Sequence, residues 1–478
     1  MDVSHILDQL NDAQREAVTA SQSNQLILAG AGSGKTRVLV HRIAWLIEVE
    51  NVSSWNILAV TFTNKAAREM RARIEQMLNT PAGAMWVGTF HGLAHRLLRA
   101  HWKEADLPQG FQILDSDDQF RLIKRILKTL NIDDSKWPPR QVQWFINAQK
   151  DEGRRPEHID DQGDYYQQQM IRIYREYEDA CRRGGMVDFA ELLLRSHELW
   201  LNNTELLEHY RDRFRHILVD EFQDTNTIQY AWVRMLVGAN NHLFVVGDDD
   251  QSIYGWRGAR VENIHDVQSD FPGVNLVRLE QNYRSTGNIL SAANAVIAKN
   301  PSRLGKNLWT ADGDGEPIRL YAAFNEVDEA RWIIDRIQDR ISHGMLRSEL
   351  AILYRTTAQS RLFEEALIQA GIPYRVYGGM RFFERAEVKD ALSTLTAEFD
   401  ESGRAITLSK VAGGWQLYCR PEYAGYARDL HKGRIPPRLS QAAGGRRQLP
   451  VPGGVLMGIF AVAQVGQLSE TQVGLIRK

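Results

Sequence analysis

Short apolar runs alternate with segments of helical periodicity at the start of the chain. The runs QLILAG (25–30) and ILAVTF (57–62) have the length and composition of buried strands. Each run leads into a polar or glycine-rich loop and then into a helical pattern, as in β–α–β units with a parallel sheet. The pattern therefore predicts an α/β domain.

The period of the hydrophobic positions changes in the region 95–215, which is mostly helical in pattern. It includes the long amphipathic stretches FRLIKRILKTL (120–130) and ELLLRSHELWL (191–201). Strand signals then return in HILVDEF (216–222), HLFVVGD (242–248) and VNLVRLE (274–280). We therefore predict that a helical insertion interrupts the α/β domain.

A second α/β pattern follows the first one. IRLYAA (318–323) and ELAILYR (349–355) are predicted strands, and EARWIIDRIQDRI (329–341) is a predicted helix. The chain becomes richer in glycine near Leu395, and residues 441–454 are typical of a loop or of disorder. The sequence thus predicts two α/β regions followed by a tail of different character.

Composition narrows the classes of partner. Lys and Arg number 58 and Asp and Glu number 60, so a nucleic-acid site would have to be a local groove rather than a basic surface. The two cysteines, Cys181 and Cys419, form neither a disulfide framework nor a metal-binding spacing, which suits a reducing compartment. The start MDVSHILDQL lacks the features of a signal peptide, and no apolar run is long enough for a membrane span. We expect a cytoplasmic protein with no membrane partner.

The strongest candidate site is a glycine-rich loop between a predicted strand and a predicted helix. It consists of Ala29, Gly30, Ala31, Gly32, Ser33, Gly34, Lys35 and Thr36. This is the context of a phosphate-binding P-loop, in which backbone N–H groups and the helix N-terminus surround phosphate oxygens. Lys35 would reach the β- and γ-phosphates of ATP, and the Thr36 hydroxyl would bind Mg²⁺. The competing interpretation is a simple turn at a helix start, and Ala29 departs from the strict pattern, which has glycine there.

A second acidic element is expected beside a P-loop, and HILVDEFQD supplies it. Asp220 at the strand end can hold Mg²⁺, and Glu221 can orient and deprotonate the attacking water. Alone, such a pair is more often a solvated loop. Together with the P-loop it predicts a coherent site for ATP and Mg²⁺.

Further motifs occur in a fixed order along the chain. They are LNDAQREAV (10–18), TFTNKAA (61–67), GTFHGLAHR (88–96), VDEFQDTN (219–226), VVGDDDQSIYGWRGA (245–259), LEQNYRS (279–285), QSRLFEEAL (359–367) and YGGMRFFER (377–385). Over about residues 1–395 this series resembles the UvrD/Rep/PcrA helicases of superfamily one. The resemblance implies a RecA-like P-loop NTPase fold and an ATP-dependent DNA helicase with 3′→5′ polarity that acts in excision and mismatch repair. Its partners would be single-stranded DNA, 3′-tailed duplex DNA and repair proteins.

The resemblance also assigns roles around the nucleotide. Gln14 would read the adenine edge, Tyr283 would stack on the base, and Arg37 would lie near the phosphates. Gln251 would sense the γ-phosphate and couple it to the DNA site. Arg284 resembles an arginine finger that neutralises charge in the transition state, although without the resemblance a surface ion pair is equally plausible.

Single strands are held by aromatic stacking along a basic groove. The resemblance implies stacking by Phe62, Phe189, Tyr254 and Trp256, and backbone contacts by Thr61, Asn64, His91, Arg257 and Arg355. Taken singly, each aromatic residue is more often part of a core. The basic face with Arg121, Lys124, Arg125 and Lys128 is interpreted as solvated and is not assigned to DNA.

The predicted domains follow from these motifs. Residues 1–90 and 215–280 form the first motor domain, 91–214 the helical insertion, 281–377 a partial second motor domain and 378–395 the start of a further domain, and 396–478 an unrelated tail. Within this tail, residues 403–443 resemble a winged-helix wing and helix of segregation and condensation protein B. Two later family motifs, resembling TLHSAKGLEF and RRLAYVGVTRA, do not occur in 396–478.

Two functional interpretations therefore remain open. The first is an ATP-dependent DNA helicase, and the alternative is a fragment that binds ATP and single-stranded DNA without unwinding. On the alternative, ATP hydrolysis would be weak. An unrelated P-loop ATPase, such as a transporter motor, is disfavoured by the GDDDQSIYGWRGA block and by the lack of an LSGGQ-type motif.

Overall fold

The computed structural model describes residues 3–83, 85–161, 163–301, 303–377, 386–402, 406–411 and 414–420. The chain divides into two compact units, Met1–Arg319 and Leu320–Lys478. In the described part of the chain, no helix is both long and apolar enough to cross a lipid bilayer.

The first unit contains one large sheet and one very small sheet. Its strands are β1 (Gln25–Ala29), β2 (Ile57–Thr61), β3 (Trp86–Thr89), β4 (Gln112–Ile113), β5 (Met186–Val187), β6 (His216–Val219), β7 (His242–Gly247) and β8 (Asn275–Leu279). The large sheet has six strands in the order β3-β2-β6-β7-β1-β8. All of its pairings are parallel. This confirms the predicted parallel α/β fold. Strand β3 was not among the predicted strands, because its four residues follow a Pro- and Gly-containing loop and give little periodic signal.

Helices cover both faces of this sheet and form the insertion. They are α1 (Ser4–Leu7), α2 (Asp12–Thr19), α3 (Lys35–Glu48), α4 (Asn64–Leu78), α5 (Phe90–Ala100), α6 (Ser116–Thr129), α7 (Pro139–Asp151), α8 (Tyr165–Gly184), α9 (Phe189–Asn202), α10 (Thr204–Arg213), α11 (Thr227–Leu236), α12 (Glu262–Asp270) and α13 (Gly287–Ile297). All five residues of β1 are buried, because both faces of the strand are covered. Leu26 and Leu28 join one apolar core, and Ile27 and Ala29 join the other.

The insertion is helical as predicted, apart from the two-residue parallel pairing of β4 with β5. A core of its own lies between α6, α7 and α8 and includes Ile123, Val142 and Tyr174. Beside this core the buried Lys150 ammonium contacts Asp188 and Glu191, each at 2.8 Å. Asp188 also caps α9 by accepting the Glu191 N–H at 2.8 Å. The same carboxylate therefore pairs with the buried Lys150 ammonium and stabilises the first turn of α9.

The second unit contains three described helices and one hairpin. Helices α14 (Glu326–Ser342), α15 (Thr357–Gln369) and α16 (Ala386–Glu401) precede β9 (Ile406–Val411), which pairs antiparallel with β10 (Gly414–Cys419). Helix α14 confirms the helix predicted at 329–341. The hairpin lies inside the segment interpreted as a winged-helix wing, and that interpretation stays a prediction. Residues 421–478, which include the expected loop at 441–454, lie outside the described residues.

The predicted strands at 318–323 and 349–355 are wrong for this structure. Neither segment forms a strand among the described residues, and Glu349 is the last residue of a short 3-10 helix, Arg347–Glu349. Some of their apolar side chains remain in solvent, with Leu320 98% and Leu353 94% exposed. An alternating apolar pattern becomes a strand only when a neighbouring strand accepts its hydrogen bonds and a covering layer buries its face. Neither condition is met in the described part of this unit.

Candidate functional site

The carboxyl ends of all six parallel strands meet at one edge of the sheet, which is where open α/β sheets bind ligands. The glycine-rich loop follows β1, the Asp220–Glu221 pair follows β6, and Asp248 follows β7. Phe62 follows β2. The strand order therefore gathers the phosphate-binding candidates around β1, β7 and β6, and it places Phe62 at the end of β2, next to β6.

The loop before α3 has the backbone that a phosphate cradle requires. Gly32 and Gly34 adopt φ values of +67° and +90°, a region that favours glycine. The Ser33 hydroxyl donates to the Gly30 carbonyl oxygen at 2.8 Å and tightens the turn. Lys35 is the first residue of α3, so its ammonium and the free N–H groups of the helix start face the same space. Lys35 Nζ lies 3.7 Å from Asp248 Oδ2 and 4.0 Å from Glu221 Oε2.

Two oxygen ligands suited to Mg²⁺ stand side by side in this space. Thr36 Oγ1 lies 3.4 Å from Asp220 Oδ2, although these residues belong to different strand–helix units. Burial, followed by the charge of Glu221, raises the pKa of Asp220 to about 7. A bound divalent cation would offset the cost of ionising this carboxyl, so the donor set fits Mg²⁺.

Glu221 has an unusual backbone for a non-glycine residue, with φ of +50°. Its N–H donates to Asp220 Oδ1 at 3.0 Å, and its Oε2 accepts the Gln223 amide at 2.7 Å. Gln223 Oε1 in turn accepts the Asp248 N–H at 2.9 Å. The carboxylate expected to orient water is thus held by a residue that is itself fixed to β7.

The segment after β8 lies directly on the glycine-rich loop. The Tyr283 N–H donates to the Gly32 carbonyl at 3.0 Å, and the buried Asn282 amide donates to the Ala31 carbonyl at 2.5 Å. Asn282 Oδ1 accepts the N–H of Arg284 at 2.7 Å. The Arg284 side chain is exposed to solvent, whereas its backbone N–H is held by Asn282, which contacts the glycine-rich loop.

The adenine-side candidates surround α2. Gln14 is buried and donates to the Ser33 carbonyl at 2.8 Å, and the Asn11 amide donates to the Tyr283 hydroxyl at 2.8 Å. Arg37 donates to Gln9 Oε1 at 2.8 Å. The structure therefore brings Gln14, Tyr283 and Arg37 to the same loop as Lys35.

The aromatic candidates form two groups. Phe62 stacks on Tyr254 with ring centroids 5.4 Å apart, and Trp256, which is 74% exposed, lies 6.3 Å from Tyr254. The Arg257 guanidinium lies 4.5 Å from the centroid of the Trp256 ring. These four residues make an aromatic and cationic surface of the kind that stacks bases.

The second group is formed by His91 and Phe189, whose rings lie 5.5 Å apart. Phe189 is exposed, and burial lowers the pKa of His91 to about 4, so the imidazole is neutral near pH 7. It can therefore meet a phosphate as a hydrogen-bond donor but not as a cation.

The remaining DNA candidates lie in different surroundings. Asn64 is exposed at the start of α4, whereas Thr61 is fully buried. The Thr61 hydroxyl has no hydrogen-bond partner in the described part of the chain. Arg355 is exposed in the second unit.

Comparison with known proteins identifies the family. The model of the UvrD/REP helicase N-terminal domain matches residues 10–272, and that of the UvrD-like helicase C-terminal domain matches residues 277–411. The chain belongs to the UvrD/REP helicase family.

Named members of the UvrD/REP family are close in sequence. DNA helicase II of Escherichia coli (strain K12) is 66% identical over 395 residues, which cover 83% of this chain and 55% of that relative. DNA helicase II of Haemophilus influenzae is 58% identical over 399 residues, with shares of 83% and 55%. The ATP-dependent DNA helicase PcrA of Staphylococcus aureus (strain Mu50 / ATCC 700699) is 44% identical over 391 residues, with shares of 82% and 54%. The chain thus spans about half the length of these relatives.

In this UvrD/REP chain, the loop after β7 crosses the sheet edge from one candidate group to the other. The Gln251 amide donates to Asp248 beside Lys35, and three residues further on Tyr254 stacks on Phe62. The loop therefore has one end at the phosphate-binding candidates and the other in the aromatic surface.

Several residues that organise this site, Asp248 and Gln223 among them, were not candidates from the sequence. Asn11, Asn282 and Lys306 are polar residues whose partners are distant in the sequence. Asn11 gave a usable signal, because it precedes Gln14 in a capping box at the start of α2. Asn282 and Lys306 gave no signal in the sequence. The role of a single amide or ammonium group can be inferred only when its neighbours in space are known.

Proposed function

We propose that this chain is the motor of an ATP-dependent DNA helicase that binds ATP with Mg²⁺, holds single-stranded DNA and moves along it in the 3′→5′ direction. One observation carries the proposal: the loop from Asp248 to Arg257 joins the phosphate-binding candidates to an exposed aromatic surface. A single short segment can therefore respond to nucleotide at one end and contact a strand at the other. Relatives named as DNA helicases support the same function.

The nucleotide chemistry depends on positioned charge. Lys35 binds the β- and γ-phosphates, while Thr36 and Asp220 would hold the metal, which would neutralise charge on the phosphates. Glu221 orients the attacking water and accepts its proton, and Gln251 senses the γ-phosphate. Arg284 approaches the γ-phosphate from the segment after β8, because Asn282 ties that segment to the loop.

The base of ATP lies between Gln14 and Tyr283. The Gln14 amide can donate and accept at the adenine edge, and the Tyr283 ring can stack on the base. Arg37, on the first turn of α3, contacts phosphate. The Asn11 amide, which donates to the Tyr283 hydroxyl, holds the ring beside the start of α2.

DNA is held without reading its sequence. Bases stack on Phe62, Tyr254, Trp256 and Phe189, and the DNA backbone is contacted by Asn64, His91, Arg257 and Arg355. Thr61 is fully buried and is therefore left out of this contact. The physiological substrate is 3′-tailed duplex DNA in excision and mismatch repair, with repair proteins as partners.

A second candidate function is binding of ATP and single-stranded DNA without strand separation. The exposed segments around Leu320 and Leu353 pair with no strand among the residues that the structure describes. They favour this second function, because a motor that converts ATP binding into movement needs a second rigid domain. The two candidates share both ligands and differ only in the mechanical step.

A strand-displacement assay with Mg-ATP separates them. The helicase proposal expects release of the strand from a 3′-tailed duplex but not from a 5′-tailed one, with loss of activity in Glu221→Gln. The second candidate expects binding of oligo-dT and of a non-hydrolysable ATP analogue without release. Absence of analogue binding, or binding that Lys35→Ala leaves unchanged, would contradict both.

A further inference from the structure

The loop after β7 begins with three consecutive carboxylates whose oxygens lie within 4.8 Å of one another. Asp248 is buried, and Asp249 and Asp250 are partly buried. Three like charges at this separation repel strongly where water is scarce. Without a counter-charge, this acidic loop (Asp248–Asp250) would also repel the phosphates of a nucleotide next to Lys35.

The chain supplies the counter-charge itself, through Lys306. Its ammonium contacts Asp248 Oδ1 at 2.6 Å, Asp249 Oδ1 at 2.5 Å and Asp250 Oδ2 at 2.8 Å. The Lys306 side chain is only 2% exposed. Burial alone would lower the pKa of Lys306, but the three carboxylates outweigh burial and raise it, so the ammonium stays charged.

Lys306 belongs to a short segment, residues 303–309, that is fixed at both ends. At one end Arg303 binds Asp250 with two hydrogen bonds of 2.6 and 2.7 Å, and the Leu304 N–H donates to Asp249 at 2.9 Å. At the other end the Trp309 carbonyl accepts the Asn282 N–H at 2.7 Å. The segment therefore connects the acidic loop to the residues that carry Arg284.

Asp248 is the point where these contacts reach the nucleotide site. Its Oδ1 binds Lys306, while its Oδ2 accepts the Gln251 amide and lies 3.7 Å from Lys35 Nζ. Fixing one oxygen of a carboxylate fixes the other. The orientation of Gln251 thus depends on Lys306, although the two side chains share only Asp248.

We propose that Lys306 is a positioning residue that holds the acidic loop, and with it Gln251, so that nucleotide and DNA binding are coupled. The proposal rests on the proposed function, because coupling presupposes that both ligands bind. On this proposal Lys306 has two separable effects: its charge stabilises the folded protein, and its contacts position the acidic loop. A double variant that keeps the net charge of the cluster should separate them.

The experiment measures coupling as the factor by which oligo-dT changes the affinity for a fluorescent, non-hydrolysable ATP analogue with Mg²⁺. In the parent chain a factor of about 5–150 is expected, as is usual for coupled sites. In Lys306→Met this factor falls to within about twofold of one. Lys299→Met, which removes an exposed lysine nearby, retains the parent value.

The double variant Lys306→Met with Asp249→Asn separates positioning from charge balance. It restores the parent net charge of the cluster, and the asparagine can still accept the Leu304 N–H. We expect Lys306→Met to lower the melting temperature and the double variant to recover most of that decrease. The coupling between the two ligands should remain absent in both variants. The double variant also serves if Lys306→Met alone does not fold.

Five outcomes overturn the inference. Coupling that persists in Lys306→Met, coupling that returns in the double variant, or an equal loss in Arg303→Gln would each remove the special role of Lys306. A parent chain that binds both ligands independently would show that there is no coupling to hold, while leaving the binding proposal intact. A parent chain that binds neither ligand would instead contradict the proposed function, and the inference with it.

Discussion

Gly30 and Gly32 lie two positions apart in the phosphate-binding loop, yet different contacts restrict them. A Cβ on Gly30 would lie 2.1 Å from Leu308 Cδ2, the end of a side chain that could be shortened. A Cβ on Gly32 would lie 2.7 Å from Asn282 Nδ2, and the backbone there has φ of +67°. The restriction at Gly30 comes from a neighbouring side chain alone, whereas the restriction at Gly32 comes from neighbouring side chains and also from the backbone itself.

This difference predicts which substitution can be rescued. Gly30→Ala should lower the free energy of unfolding by about 1–3 kcal/mol through overpacking. Adding Leu308→Ala should recover most of that loss. Gly32→Ala should cost about 1–2 kcal/mol from its backbone alone, and Leu308→Ala should not relieve it. Equilibrium denaturation of the single and double variants measures both effects, and rescue of Gly32→Ala would contradict the assignment.

Asn282 determines where Arg284 stands. Its side-chain amide makes three hydrogen bonds. The Nδ2 group donates to the Ala31 carbonyl at 2.5 Å, and Oδ1 accepts the N–H groups of Arg284 and Ser285, each at 2.7 Å. Asn282→Ala should lower the free energy of unfolding by about 2–3 kcal/mol, at about 1 kcal/mol for each bond.

Asn282→Ala should also weaken binding of the ATP analogue by about tenfold, because the phosphate-binding loop loses its hydrogen bond from Asn282. Asn288→Ala is the matched control, since Asn288 also donates to a carbonyl, that of Gly315 at 3.0 Å, but does not contact the loop. Equal effects in the two variants would mean that Asn282 acts only through stability.

At the scale of elements, the carboxyl ends of β2 and β7 create a stacking surface that neither strand has alone. Phe62 follows β2, while Tyr254 and Trp256 come from the loop after β7. Because the strands are separated in the sheet by β6 alone, a loop of moderate length can bring the rings together.

Phe62→Ala and Trp256→Ala should each weaken oligo-dT binding by about tenfold, because a stacked base contributes about 1–3 kcal/mol. Trp144→Ala is a control of similar exposure, since Trp144 is 70% exposed on the helical insertion. Fluorescence anisotropy with labelled oligo-dT gives the affinities. Parent-like binding by both variants would show that the aromatic track is misassigned.

The end of α7 meets the segment before α11, where insertion and motor domain join. Asp151 hydrogen-bonds to Asn226, and burial, with further contributions from Asp188 and Glu152, raises the pKa of Asp151 to about 7. In the unfolded chain the carboxyl ionises near its ordinary value of 3.8. The folded protein therefore loses stability as pH rises between these two values, and the whole loss is present above about pH 7.

Asp151→Asn removes this loss. It should raise the free energy of unfolding by about 1–3 kcal/mol near pH 8 and by less near pH 5.5. Thermal unfolding at the two pH values measures the difference, with the exposed Asp134→Asn as the control. A gain that is the same at both values would contradict the burial of an ionised carboxyl at this junction.

At the scale of the whole molecule, the net charge of −2 means that no long-range field attracts DNA. The proposed backbone contacts include two exposed arginines, Arg257 and Arg355, and a neutral His91. Binding should then depend on a few local contacts.

The salt dependence of oligo-dT binding tests this charge distribution. Each neutralised phosphate contributes about 0.7 to the slope of log affinity against log salt, so a slope of about −1 to −2 is expected. Arg257→Gln should reduce its magnitude by about 0.7, while Lys124→Gln on the exposed face of α6 should leave it unchanged. A slope steeper than about −5 would indicate a basic surface that the proposal lacks.

Sequence alone determined the features that contiguous residues encode. The glycine-rich loop, its flanking strand and helix, and the acidic pair after β6 were predicted because each depends on the local order of residue types. Five strands of the large sheet were predicted for the same reason, since a short apolar run needs no partner to be recognised. The family resemblance added candidate residues that no local pattern indicates, such as Gln251 and Trp256. The domain boundaries stay predictions.

Only the tertiary structure decided how these pieces meet. The strand order placed Asp220, Asp248 and Lys35 together, and it brought Asn282 onto the loop and Lys306 among three carboxylates. Against expectation, 318–323 and 349–355 pair with no strand in the described part of the chain. The physical reason is the same in each case: a hydrogen bond or ion pair between distant positions depends on which strands become neighbours, and no local pattern specifies that neighbour.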